Sequence, residues 1–196
     1  MVIPAPVSHP LLETFGEVDI YVFDQLMKGR FDSARRVLDA GCGEGRNLQY
    51  LLAQGRECFG IDRAPAAIEE IRALAARLAP ALPPANFVVG QIDALPWEDG
   101  SMDAVICTAV LHFARDAAHF DRIMQELWRV LAPGGVFLAR LASTIGIEAS
   151  PGYTFVVDAQ LLLDYTARLG AALLDPLKTT VVHEQRAMTT WVLRKS

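Results

Sequence analysis

The stretch from Arg36 to Arg46 constrains this chain more than any other. An apolar run, Val37-Leu38, ends in Asp39, and glycines follow at every second position, Gly41, Gly43 and Gly45. Leu48, Leu51 and Leu52 then fall on one helical face. Arg35 to Ala40 reads as a buried strand, and Gly45 to Gln54 as a short helix closed by Gly55. Strand, glycine turn and helix in that order let a backbone come close to a ligand at a helix N-terminus.

The remaining residues repeat the alternation. Before the turn, Phe15, Val18, Val22 and Leu26 recur at helical spacing and predict one helix over Leu11 to Lys28, stopped by Gly29. After it come a second strand, Glu57 to Ile61, ending at Asp62, and a helix entered through Pro65 at its favoured first position. A third strand spans Asn86 to Val89. Asp99-Gly100-Ser101 turns into a fourth, Met102 to Thr108. The helix after it carries Phe120, Met124, Leu127 and Leu131, and Pro133-Gly134-Gly135 ends it before a fifth strand, Val136 to Leu141. A mixed connection over 142–157 leads to a helix capped by Asp158 and closed by Gly170. Two β-rich segments, about 172–183 and 187–194, close the chain as an antiparallel hairpin. Strands alternating with helices imply a parallel sheet covered on both faces.

Length and composition fit that reading. The chain has 196 residues, enough for one sizeable core, and an apolar fraction of 52% suits a sheet buried on both faces. The expected division is a 1–34 extension with a cap helix and a compact 35–196 domain. No apolar run approaches the roughly 18 residues of a membrane span, and the Pro-rich start lacks the basic lead of a signal peptide. A net charge of −5 without a Lys/Arg cluster weighs against nucleic acid. Three cysteines, Cys42, Cys58 and Cys107, lack Cys-x-x-Cys spacing; they predict no metal and a reducing, cytoplasmic setting. The expected partner is a small molecule, and the expected state a monomer or weak homodimer.

Two cofactor classes use such a turn. A dinucleotide site wants Gly-x-Gly-x-x-Gly, and here Arg46 stands where the third glycine would be. Val37-Leu38-Asp39-Ala40-Gly41-Cys42-Gly43-Glu44-Gly45 resembles the first motif of class I S-adenosylmethionine-dependent methyltransferases. The likeness continues in order through Gly60-Ile61-Asp62, Gln91-Ile92-Asp93-Ala94-Leu95-Pro96, Ser101-Met102-Asp103-Ala104-Val105 and Leu131-Ala132-Pro133-Gly134-Gly135. It implies a Rossmann-like, doubly wound, mostly parallel seven-stranded sheet with an antiparallel C-terminal hairpin strand. It also implies S-adenosylmethionine as donor and S-adenosylhomocysteine as product.

The resemblance assigns positions. Asp62 would accept from both ribose hydroxyls, a chemistry that also suits NAD. Asp93 would sit beside the adenine amino group, with the Ala94 backbone completing that edge. Asp39 would orient the turn and the ligand ammonium, and Gly41 and Gly43, with Cys42 between them, would allow close approach. Arg63 would flank the adenosine, and Cys107 with Thr108 would lie under the methionine portion. Arg46 is open to two readings, the cofactor carboxylate or a helix-surface arginine.

The acceptor is less constrained. No Asn-Pro-Pro-Tyr motif follows the fourth strand, where Ala109-Val110-Leu111-His112-Phe113 stands, which argues against DNA adenine and protein glutamine methylation. His112 could be a general base, a pocket wall or a helix cap. Arg140 could hold an anionic acceptor or pair with a neighbouring loop. Tyr21, Phe23 and Tyr153 are substrate-side candidates from segments the core does not need. His9, His119 and His183 have no supporting context. Arg140 to Gly146 is also similar to small methyltransferases of the tellurite-resistance type, over too short a stretch to fix a substrate. Alternatives are a non-catalytic S-adenosylmethionine-binding partner subunit and an NAD-dependent oxidoreductase.

Overall fold

The computed structural model describes residues 10–147, 152–182 and 186–196. The strands are β1 Arg36–Ala40, β2 Glu57–Asp62, β3 Phe87–Val89, β4 Met102–Thr108, β5 Leu131–Ser143, β6 Ala172–Leu173, β7 Lys178–Val182 and β8 Arg186–Arg194. The helices are α1 Pro10–Phe15, α2 Ile20–Met27, α3 Gln49–Ala53, α4 Pro65–Leu78, α5 Ala117–Val130 and α6 Ala159–Arg168.

The sheet order is β3-β2-β1-β4-β5-β8-β6, with β7 also on β8. The pairs from β3 to β5 are parallel, and β8 is antiparallel to β5, β6 and β7. Eight strands therefore fill seven positions, because β6 and β7 share one edge of β8 on either side of Leu174-Asp175-Pro176-Leu177. Proline lacks the N–H that would continue the ladder there. The link from β7 to β8 passes through 183–185, which with His183, His9 and Pro151 lies outside the described residues.

Side-chain alternation gives the sheet two buried faces. Leu38, Val105, Phe137 and Trp191 pack against Phe120, Ile123, Met124 and Leu127 of α5 and Leu162 and Tyr165 of α6. Val37, Ile106, Leu138 and Val192 pack against Val22 of α2, Leu51 and Leu52 of α3 and Ile68 and Ile71 of α4. Each face excludes a continuous apolar layer from water, which is the main stabilising term for such a sandwich.

Three local expectations need correction. The helix over Leu11 to Lys28 is two helices, because the Asp19 carboxylate accepts the Tyr21 N–H at 2.9 Å and starts α2 afresh. The helix after the glycine turn begins only at Gln49. Gly45 has φ +89°, which a right-handed helix forbids, and the Asn47 side chain is drawn into a polar network. The fifth strand starts at Leu131, directly after α5, rather than at Val136. Leu131 pairs with Met102 and Val136 with Ala104, so Pro133-Gly134-Gly135 forms an irregularity inside the strand. Gly134 N–H donates to Lys195 O at 2.8 Å and keeps that segment in the sheet.

The chain order reverses between β1 and β4. Loops leaving the C-terminal ends of strands on either side of such a reversal diverge and leave a crevice.

Candidate active site

A cavity of about 1060 Å³ opens at that reversal. Its floor is the turn Gly41-Cys42-Gly43 after β1, its sides are Asp62, Arg63 and Ala64 after β2 and Gly90 to Asp93 after β3, and its far wall is Thr108 to Val110 and Phe113 to Arg115 after β4. Arg46 and Asn47, His119 and Ile123 of α5, and Glu17 from the corner between α1 and α2 complete its lining.

Backbone geometry sets the turn against β2. Gly41 and Cys42 N–H both donate to Ile61 O, at 2.8 and 3.1 Å. Gly41 has φ +81°, and a Cβ there would lie 2.3 Å from Val110 Cγ2, so a side chain is excluded by conformation and by space. Asp62 Oδ2 accepts from Gly43 N–H at 3.0 Å and Oδ1 from Ala64 N–H at 2.9 Å. These bonds fix the carboxylate at the rim while it still borders the cavity.

Asp93 borders the cavity as well, and its Oδ2 lies 3.1 Å from His119 Nε2. Sequence reading missed His119. Its only signal was position, the third residue of a helix whose N-cap is Asp116. Ala94 is not at the cavity; its N–H donates to Gln91 O at 3.3 Å, within the turn that carries Asp93.

Asp39 is fully buried beneath the turn and does not border the cavity. Burial pushes its carboxyl up to about 7, against weaker opposition from the Asn47 hydrogen bond and the Arg46 charge. Its Oδ1 is buried without a hydrogen-bond partner. Asn47, also missed from sequence, joins three elements. Its Nδ2 donates to Thr108 Oγ1 at 2.9 Å and lies 3.4 Å from Asp39 Oδ2, and its Oδ1 accepts Asp19 N–H at 3.1 Å.

The three cysteines are reduced and buried. Cys42 borders the cavity, whereas Cys107 points into the core on the α5 side, one residue before Thr108 on the cavity wall. Burial raises all three thiols, Cys58 to about 12. They are protonated at neutral pH and poor metal ligands or nucleophiles. Among the described residues, no group of three or more His, Cys, Asp or Glu could hold a metal ion.

The substrate-side candidates lie off the cavity. Arg140 Nη1 pairs with the buried Asp19 Oδ2 at 3.0 Å, and Arg46 Nη2 approaches the same oxygen at 3.8 Å. Of the two readings of Arg140, pairing with a neighbouring segment is the one the geometry displays. The Tyr21 ring lies 5.1 Å from the Arg140 guanidinium and 5.2 Å from Lys178 Nζ, and its hydroxyl bonds Thr180 Oγ1. His112 is 2% exposed and its Nδ1 accepts Ala142 N–H at 3.2 Å, so the neutral ring carries its proton on Nε2. Burial, helped by Arg140, lowers its pKa to about 4. Tyr153 packs edge-on against His112 at 4.4 Å. Phe113, 53% exposed, and Glu17 line the cavity without having been singled out from sequence.

A family model described as a methyltransferase domain matches residues 38–139. A probable S-adenosylmethionine-dependent methyltransferase of Mycolicibacterium smegmatis is 34% identical over 152 residues, which is 78% of this chain and 53% of that protein. The chain thus spans about half the length of that relative, and 38% of an uncharacterized methyltransferase of Mycobacterium bovis. Among solved structures, TehB of Haemophilus influenzae superposes with a TM-score of 0.73 at 20% identity, covering 91% of this chain and 63% of that one. Magnesium protoporphyrin IX methyltransferase of Synechocystis PCC 6803, solved with bound S-adenosylmethionine, gives 0.68 at 17% identity, covering 91% and 77%. These structures establish the shared Rossmann-like architecture. With its central motifs matched over more than half its length, the chain belongs to the S-adenosylmethionine-dependent methyltransferase-domain family.

Proposed function

We propose that the chain binds S-adenosylmethionine in this cavity and transfers its methyl group to a small-molecule acceptor. One observation carries the reading: Asp62 and Asp93, acceptor-only carboxylates on successive loops, border the same cavity as the glycine turn. That set suits a ligand with a ribose diol, an exocyclic amine and a chain needing close backbone approach. At about 1060 Å³ the cavity exceeds the usual range for one small ligand, roughly 300–1,000 Å³, and offers room for donor and acceptor together.

In this reading Asp62 accepts from the ribose and Asp93 from the adenine amino group. Gly41 and Gly43 face the methionyl chain, and Arg46 its carboxylate. Arg63 flanks the adenosine, and Asp39 acts through Asn47 rather than by contact. When bound, the cofactor supplies a sulfonium methyl open to in-line displacement. The protein's contribution is alignment and exclusion of water. Within the 1–34 extension, the described residues 10–34 serve as the cap over the 35–196 domain, with Glu17 bordering the cavity. A neutral His112 whose Nδ1 is occupied favours acceptors that need no imidazole base, such as thiolates or carboxylates. The buried free cysteines suit a reducing, cytoplasmic setting, and the proposed state is a monomer or weak dimer.

Thermal denaturation with S-adenosylhomocysteine tests the reading. Ligand at about 100 times its Kd adds about 2.7 kcal/mol, a rise of roughly 5–10 °C for a chain of this size. No rise at millimolar ligand, with either donor or product, would sink it. Labelled donor presented with thiols, carboxylates, amines and phenols then sorts the acceptors by class.

A further inference from the structure

His119 belongs to neither the family motifs nor the glycine turn, yet it borders the cavity with both ring nitrogens engaged. Its backbone N–H donates to Asp116 Oδ1 at 2.7 Å, the N-cap bond of α5. Its ring reaches back, and Nδ1 accepts Arg115 N–H at 3.0 Å. This is a variant of the capping box, with an imidazole in place of glutamate and the bond made one residue earlier. Once Nδ1 accepts, the neutral ring must carry its proton on Nε2. That N–H faces Asp93 Oδ2 at 3.1 Å. It is the one side-chain partner of Asp93 among the described residues, and the His119 ring is buried.

We infer that His119 is a positioning residue that sets base selectivity by holding Asp93 with one oxygen occupied and the other turned to the cavity. The inference rests on the cofactor reading above, in which Asp93 meets the adenine amino group. A carboxylate so held can only accept. It favours an exocyclic amine and repels a carbonyl oxygen at the same place. Without the Nε2 donor, the loop Gly90 to Asp93 keeps Gly90 N–H to Asp62 O at 2.9 Å, the Ala94 turn and the packing of Ile92, none of which holds the Asp93 carboxylate. The carboxylate can then rotate into solvent.

Two substitutions separate this role from simple helix capping. His119→Asn keeps an oxygen near the Nδ1 position, so the Arg115 bond survives, but it cannot reach Asp93. His119→Gln places an amide donor near the Nε2 position and gives up the bond to Arg115. The probes are S-adenosylhomocysteine and S-inosylhomocysteine, in which a carbonyl replaces the adenine amine, titrated calorimetrically against the intact chain. The wild-type chain should prefer the adenine compound by about 100-fold, the worth of one charge-assisted bond and one avoided repulsion. His119→Asn should lower that preference to about tenfold at a near-normal melting temperature. His119→Gln should keep the preference while melting earlier. An undiminished preference in His119→Asn, or a preference lost only in His119→Gln, overturns the inference and leaves the cofactor reading intact. A wild-type chain that binds neither compound overturns both. Should His119→Asn fail to fold, nitrogen resonances of the wild-type imidazole decide. Protonation at Nε2 with a shift on adding S-adenosylhomocysteine supports the role, and no shift ends it.

Discussion

The two ends of the strand C-terminal edge treat their charges in opposite ways. On the β1–β3 side, Asp62 and Asp93 are held by a backbone N–H pair and by one imidazole, and both still border the cavity. On the β5–β8 side, charges are spent on each other. Arg140 meets Asp19, and Lys28 and Arg30, with the Gln25 amide, converge on Asp175. The first side presents unsaturated acceptors, as a ligand site must. The second is a clasp that fastens α2 to the sheet. The same residue types therefore make a site where they are held singly and a scaffold where they are paired.

The largest expected effect tests the centre between the two sides. Asp39 has an ordinary value of 3.8 and is raised to about 7 by burial. A raised carboxyl gives stability that is full below its unfolded value and is lost as pH rises through the folded value. Stability of the ligand-free chain should thus fall between about pH 4 and 7 and level off above. The whole range is worth at most about 4 kcal/mol, at about 1.4 kcal/mol per pH unit. Asp39→Asn should flatten this limb and be the more stable chain at pH 8, read by urea unfolding across the range. An unchanged pH slope would show that Asp39 is ionised and solvated.

Next comes the clasp. Asp19→Asn keeps a side-chain cap for Tyr21 N–H but leaves Arg140 facing no carboxylate. Breaking a buried pair from one side costs about 3 kcal/mol, or a melting temperature lower by roughly 6–12 °C. A loss below about 1 kcal/mol would mean that apolar packing of Val22, not charge, holds α2. On the open side, Asp62→Ala should weaken S-adenosylhomocysteine by about 100-fold, close to 2.7 kcal/mol, with a smaller effect on stability. If stability fell as far as affinity, Asp62 would be scaffold, and the contrast between the two sides would fail.

That contrast also explains what could be read in advance. The alternation of strands and helices, both buried faces and the Asp158 and Gly170 caps of α6 follow from local periodicity and turn chemistry, which one segment carries alone. The glycine turn and Asp62 were visible because each sits at a strand end, a place the alternation marks, whereas Asp93, in the loop beyond β3, came from the family resemblance. Asn47, His119 and the Asp19 pairing were not. Their meaning lies in partners 26 to 121 residues away, from His119 and Asp93 to Asp19 and Arg140. The helix over 11–28 misled for a related reason. Its apolar spacing runs unbroken, while the break is made by one carboxylate whose second oxygen is claimed by Arg140.

His112 gives the smallest expected effect and the finest division between the sides. It stands after β4, beside the cavity, yet it behaves as the clasp side does, with Nδ1 bound to Ala142 N–H and Tyr153 against its ring. A pKa lowered to about 4 leaves it neutral throughout pH 6–8, with the outward nitrogen already protonated. A base in that state has no lone pair to offer. His112→Asn retains an oxygen for Ala142 N–H, and turnover should stay within about threefold of wild type, since one maintained hydrogen bond preserves the wall. The pH–rate profile should show no inflection from this residue above pH 5. A fall of 100-fold or more on acceptors that carry a proton, with thiolates unaffected, would assign His112 to the chemistry and move the boundary between site and scaffold to the far side of β4.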